Sequence, residues 1–174
     1  NEVKTLGTNT IYVDKWDYSA GGGPDFPWWK FVNRPVPKYE ETEQIKARTP
    51  SAKFVVFRNK VVDQVEYRGS ALTNINIYGI NEDFDNIQPV EIAYGRYLSE
   101  ADFERGTNVV VIGNEIAEKL FGEAELSLEK HLDIRGKKML IIGVVKKQGK
   151  QMIGGWDFDQ SVIVSYRLGR GIMN

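Results

Sequence analysis

The sequence has no cysteine and a single histidine, His131. Without cysteine there is no disulfide framework, no thiolate nucleophile, no iron–sulfur centre and no Cys-containing zinc site. One histidine excludes the two-His metal motifs and leaves at most one Ser–His–acid arrangement. An excess of charge of either sign is missing too, since 23 Lys and Arg stand against 24 Asp and Glu for a formal net charge of −1. A general nucleic-acid binder needs clustered excess cations to displace counterions, so no nucleic-acid partner is expected. The longest aliphatic stretches, residues 109–112 and 140–145, fall far short of the roughly 18 apolar residues that suggest a membrane span. No repeat of solenoid period is present.

What remains is a chain of 174 residues, 41% hydrophobic, long enough for one domain or two small subdomains. Thr10-Ile11-Tyr12-Val13 is β-branched and aromatic and reads as a strand. Residues 14–37 carry Gly21-Gly22-Gly23-Pro24 and three of the four tryptophans, a Gly/Pro-rich connection of the kind that is functional when it is this long. Pro37 is expected to open a helix running to Arg48, with acids early, bases late and Pro50 beyond; its apolar face, Tyr39, Ile45 and Ala47, is thin. Residues 54–57 and 61–67 read as a hairpin turning at Arg58-Asn59-Lys60, followed by a strand over 72–80.

From Gly95 the pattern changes. Ser99 and Asp102 have capping-box spacing for a short helix to Arg105. Residues 108–112 form a buried-strand candidate. Asn114 is placed to cap a helix whose stripe is Ile116, Ala117, Leu120 and Phe121, ended by Gly122. Residues 132–134 and 139–145 flank a Gly-containing turn and give a second hairpin, and 161–166 a last strand able to pair with the first. Strand, helix and strands in this order make an α+β chain.

Chemistry-bearing residues are sparse. His131 with nearby Ser127 invites a hydrolase reading, but a triad is assembled in space, and a surface histidine at a strand start is the simpler account. Asp157 and Asp159 share a face if extended and suit a hard cation or an acid pair; beside Gly154-Gly155 they also suit a solvated turn. The glycines at 21–23 lack the Gly-Lys-Ser/Thr end of a phosphate loop. Lys146, Lys147 and Lys150 form a local basic patch beside Trp156 that fits an anionic headgroup or an acidic partner. Trp16, Tyr18, Phe26, Trp28, Trp29 and Phe31 are the stronger signal, because aromatics in a Gly/Pro loop are costly to leave in water and dominate binding hot spots.

Four pieces carry a resemblance: Leu6-Gly7-Thr8-Asn9-Thr10-Ile11-Tyr12-Val13; Gly95-Arg96-Tyr97-Leu98 with Asp102-Phe103; Val109-Val110-Val111-Ile112-Gly113-Asn114-Glu115-Ile116-Ala117-Glu118-Lys119-Leu120-Phe121-Gly122; and Ile134-Arg135-Gly136-Lys137-Lys138-Met139-Leu140-Ile141-Ile142-Gly143-Val144-Val145. In order and spacing they resemble the extracytoplasmic (periplasmic) core domain of MacB-type, FtsX-like ABC transporter permeases. The chain departs from that pattern at Ser127-Leu128-Glu129, where the family often has Pro-x-Gly, and at Ser165, where it often has Pro.

The resemblance implies an α+β fold in which a porter-like subdomain with a mixed sheet and packed helix, residues 1–92 plus 153–174, is interrupted by a smaller α/β insert, the Sabre-like subdomain, residues 93–152. It implies no catalytic residue, cofactor or metal in this piece, with ATP hydrolysis on a separate nucleotide-binding domain. It places the domain outside the bacterial inner membrane, between transmembrane helices of a permease, with both ends emerging on one side. The partners implied are those helices, the nucleotide-binding domain, a second permease copy, and a periplasmic adaptor, peptide or lipoprotein. Lipoprotein release and peptide sensing are the neighbouring alternatives to efflux. A free-standing hydrolase using Asp157, Asp159 or His131 is the alternative of a different class.

Overall fold

Helix α1, Glu41–Arg48, starts four residues after Pro37 rather than at it. The preceding residues form a turn in which Glu41 N donates to Lys38 O and Thr42 N to Tyr39 O. The Glu41 carboxylate accepts from Lys38 N at 2.9 Å, which ties the helix start to that turn. Ile45 is 40% exposed and only Thr42 is buried, as expected of a thin apolar face. The computed structural model describes residues 10–13, 29, 33–148 and 157–173. The chain divides into two compact units, Asn1–Val55, which holds α1, and Val56–Asn174, which holds every other element. Residues 10–13 carry no regular secondary structure, and Ile11 is 90% exposed, so the strand expected there does not form. Among the described residues it has no neighbouring strand to satisfy its backbone.

In the second unit, β1 (Arg58–Tyr67) and β2 (Ser70–Ile80) make a long antiparallel hairpin. Its turn is Arg68-Gly69, with φ of 48° and 86°, the left-handed pair that a two-residue hairpin loop demands. The turn expected at Arg58-Asn59-Lys60 is strand instead, paired with Ile80, Gly79 and Tyr78. Arg58 and Lys60 point to solvent while Asn59 is half-buried, so the polar run obeys the period of two.

A short helix α2, Phe84–Ile87, sets Phe84 into the core and leads to β3, Ile92–Gly95. Helix α3, Glu100–Arg105, has the capping box read from Ser99 and Asp102. Strand β4, Val109–Ile112, precedes α4, Asn114–Phe121, which Gly122 ends. The cap of α4 is Gly113, not Asn114; Glu115 N instead donates to Asp159 O, so the adjoining loop satisfies the helix start. Strands β5, His131–Ile134, and β6, Lys137–Val145, form the second hairpin, turning at Arg135-Gly136. Strand β7, Ser161–Ser165, is followed by α5, Tyr166–Met173, a helix the sequence reading did not contain.

The seven strands form one mixed sheet in the order β3-β6-β4-β7-β2-β1-β5, and β5 pairs with β6 as well as β1, so the sheet closes on itself. β7 runs parallel to β2 and antiparallel to β4, which corrects the expected pairing with the first segment. All five β7 residues are buried: Val162 and Val164 join one apolar cluster with Ile116, Ala117, Leu168 and Ile172, while Ile163 joins a second with Phe84, Leu98 and Phe158. A strand buried on both faces reads as a continuous aliphatic run, as here.

Candidate functional site

Of the aromatic loop, the structure describes Trp29, which is 58% exposed. Trp16, Tyr18, Phe26, Trp28 and Phe31, with Lys150 and Trp156 of the second segment, lie outside the described residues. Lys146 and Lys147 stand just past the end of β6 and are both exposed. Each is already paired, Lys146 Nζ with Glu91 Oε2 at 2.8 Å and Lys147 Nζ with Glu118 Oε2 at 3.1 Å. The hydrogen bond and charge of Glu91 raise the Lys146 ammonium above its ordinary range, and Lys146 lowers Glu91 in return. An acidic partner at this patch has to compete with those carboxylates, so the free cationic field is weaker than the sequence suggests.

Three of the residues behind the hydrolase reading, Ser127, Asp157 and Asp159, are engaged in local hydrogen bonds. Ser127 is buried and its hydroxyl donates to Ala124 O at 2.6 Å, inside a short 3-10 helix, Ala124–Ser127. His131 is exposed at the first position of β5. Asp159 is buried and accepts from Gln148 N at 3.0 Å, while Asp157 accepts from Gln160 N at 3.3 Å. Both are turn-stabilising acceptors. Among the described residues no group of three or more His, Asp or Glu side chains is arranged to hold a metal ion.

A concavity of about 510 Å³ that sequence reasoning missed lies between the end of β1 and the segment after α4, lined by Tyr67, Leu120, Phe121, Leu126 and Leu128 together with Glu125 and Lys130. The Tyr67 and Phe121 rings are 4.3 Å apart, and Leu126 is 57% exposed. Six of the lining residues fall within residues 120–130, and Tyr67 at the end of β1, distant in sequence, supplies the wall that no local pattern announced.

Two of the motif pieces meet at a close backbone contact. Gly95 and Gly143 are register partners across β3 and β6. A Cβ on Gly95 would sit 2.2 Å from Ile142 O, and one on Gly143 2.2 Å from Arg96 O. Gly113 is as tight, 2.2 Å from the carbonyls of Phe158 and Asp159. Only glycine permits these approaches. Asp102 is held by Ser99 N, Ser99 Oγ, Thr107 Oγ1 and Arg96 Nη1 at 2.6–2.9 Å. Burial pushes its carboxyl up, but the hydrogen bonds from Arg96, Thr107 and Ser99 outweigh that and hold it well below the ordinary carboxylate range.

This arrangement has counterparts. The model of the family described as MacB-like periplasmic core domain matches residues 2–173. The chain belongs to that family. A MacB-like periplasmic core domain lies on the extracytoplasmic side of the inner membrane as part of an ABC transporter permease, and the chain has that place. It is 33% identical over 166 residues to the pyoverdine export ATP-binding/permease protein PvdT of Pseudomonas aeruginosa, covering 95% of this chain and 23% of that protein. With the uncharacterized ABC transporter permease YvrN of Bacillus subtilis it shares 31% over 143 residues, 82% of this chain and 34% of YvrN. The chain thus spans about a third or less of the curated relatives it matches. The periplasmic region of MacB from Actinobacillus actinomycetemcomitans has the same fold, with a TM-score of 0.73 at 18% identity over 99% of this chain and 72% of that one. So does the extracellular domain of the transporter YknZ from Gram-positive bacteria, at 0.67 and 23% over 79% and 66%.

The two departures from the family pattern acquire physical content. Glu129, at the position where the pattern often has Gly, has φ of 61° and so occupies the left-handed region with a side chain. Ser165, in place of Pro, accepts from Leu168 N at 3.3 Å through its hydroxyl and caps the start of α5.

Proposed function

We propose that this MacB-like domain couples ATP-driven movement on the cytoplasmic side to the handling of a substrate or partner outside the membrane, in an efflux-type transporter. The observation that carries the proposal is the family match over residues 2–173, together with relatives whose names join an ATP-binding part to a permease. A sheet closed on itself and buried on both faces of β7 supports it, because a close-packed unit moves as a body when its connections are displaced. On this reading the chain sits between transmembrane helices of one permease, faces a second copy, and receives its drive from a nucleotide-binding domain. Residues 1–92 with 153–174 act as the porter-like part and 93–152 as the insert. Contact with substrate, adaptor, peptide or lipoprotein is made by the aromatic segment 16–31, exposed Trp29 included, and to a lesser degree by Lys146, Lys147, Lys150 and Trp156.

The coupling is tested by tying two copies together. The chain has no cysteine, so cysteine pairs introduced on exposed positions of the domain crosslink without background from the domain itself. In the full transporter, a crosslink between copies should stop transport while ATP is still hydrolysed, and reduction should restore transport. Transport at the wild-type rate with the crosslink complete would refute the reading. The apolar concavity at Tyr67, Phe121 and Leu126 favours one second reading, the release of acylated proteins. Leu126→Glu would then impair release of a lipoprotein and leave export of a small molecule unchanged.

A further inference from the structure

Helix α5 is a poor helix by composition. Its sequence Tyr-Arg-Leu-Gly-Arg-Gly-Ile-Met holds two glycines in eight residues, each destabilising relative to alanine in a helix interior. It is held from outside instead. At its start, Ser165 caps it, the Tyr166 ring meets the edge of Phe57 at a centroid distance of 4.9 Å, and the Arg167 stem lies over Gly106. Leu168 and Ile172 are buried in the core.

The last turn is anchored to the core by Ile172, but its carbonyls have no intrahelical donors. Two of them are met by one hairpin: Arg135 Nη1 donates to Ile172 O and Lys137 Nζ to Gly171 O. The Arg135 Nε donates to Asp63 Oδ2 on β1. Asp63 in turn sits at an irregularity of the β1–β2 pairing, where Asp63 opposes Ile75 and Val65 opposes Leu72, and its carboxylate also accepts from Gln64 N at 2.8 Å. Asn74, in the widened part of β2, has φ of 59°. Arg135 itself has φ of 52°, at a turn position where Asn or Gly would be cheaper. Its guanidinium, which bonds two elements at once with its planar fork, is what the turn gains.

We propose that Arg135 and Lys137 form a clasp that fastens the last turn of α5 to the β5–β6 hairpin and, through Asp63, to β1. Resting on the coupling reading above, the clasp is the point at which displacement of the chain beyond α5 enters the sheet. With it closed, α5 moves with the β1–β2 and β5–β6 hairpins as one body; with it open, the end of α5, which carries Gly169 and Gly171, is left with Leu168 and Ile172 as its hold on the core and yields to the displacement.

Hydrogen exchange of the 174-residue chain tests the clasp, and a distance measurement in the full transporter tests its use. In Arg135→Gln/Lys137→Gln, amides of residues 169–173 should exchange roughly tenfold faster or more, while those of β4 and β7 keep their protection. Arg135→Lys, which keeps the charge but loses the fork, should show a smaller increase confined to the same residues. Unchanged exchange in α5 for both variants would overturn the proposal. In the full transporter, the ATP-dependent change in distance between two copies of the domain should shrink at least twofold in the double variant with ATP hydrolysis retained; an undiminished change would also overturn it. A wild-type transporter without any ATP-dependent change would instead refute the coupling reading, and the exchange result would still decide whether the clasp exists. Lys137→Gln alone serves where the double variant does not fold.

Discussion

Replacing Asp102 by Ala removes a carboxylate that is 5% exposed and accepts four hydrogen bonds from Ser99, Arg96 and Thr107. Two costs combine. Loss of the reciprocal cap at the start of α3 costs about 0.5–2 kcal/mol, and each hydrogen bond to a charged group about 1.5–3 kcal/mol when taken singly. They are not additive, and the Arg96 side chain is 53% exposed, so water compensates part of its loss. About 2–4 kcal/mol is therefore expected, which lowers the melting temperature of a chain this size by roughly 5–15 °C. The pH dependence has a definite sign. Because the folded carboxyl lies below its unfolded value, its stabilisation is complete above the unfolded value near 4 and declines as pH falls below that toward the folded value. Asp102→Asn, which keeps the shape, should lose stability at pH 7 and show a flatter profile than wild type between about pH 5 and pH 2. Urea midpoints and scanning calorimetry read both effects. A melting temperature for Asp102→Ala within about 2 °C of wild type would refute the account of this turn.

Three further outcomes follow from the geometry. Gly143→Ala places a methyl carbon 2.2 Å from Arg96 O and should cost more than about 2 kcal/mol in urea denaturation; an unchanged midpoint would show that β3 and β6 separate freely. Glu129→Gly relieves a left-handed residue and should raise stability by about 1 kcal/mol, whereas destabilisation would mean that the Glu129 side chain holds the turn. Replacing Trp28 and Trp29 by Ala should weaken partner or substrate binding in the full transporter and, with Trp29 58% exposed, Trp29→Ala alone should leave the melting temperature within about 1 °C.

Local chemistry was legible wherever one short segment contained all of its partners. The Ser99–Asp102 box, the stripe of α4 with Gly122 behind it, and the β5–β6 hairpin are of this kind, and each forms as read. Errors fall where a distant element decides. Arg58-Asn59-Lys60 has turn composition, yet three β2 residues supply its ladder and Tyr78 a ring for Arg58 at 5.8 Å. Thr10 to Val13 has strand composition and no strand beside it among the described residues. The α5 helix was invisible because its two glycines argue against a helix, and its support comes from Ser165, Phe57 and the Arg135 turn. At the candidate site, one residue of the aromatic segment, Trp29, is described and is exposed, while Lys146 and Lys147 are paired with Glu91 and Glu118, which lie far away in sequence. The family motifs were visible as strings; that Gly95, Gly113 and Gly143 mark backbone contacts too close for a Cβ became visible only in three dimensions.

The central claim is that this domain moves when ATP is used on the other side of the membrane. Its most direct test is a distance between spin labels on single cysteines introduced at an exposed position, such as Leu126, in both copies of the full transporter, free of native cysteine in this domain. Coupling predicts a distance distribution that shifts by several ångströms between the ATP-trapped and nucleotide-free states, and that stays fixed when the nucleotide-binding part cannot bind ATP. A distribution indifferent to nucleotide would contradict the account.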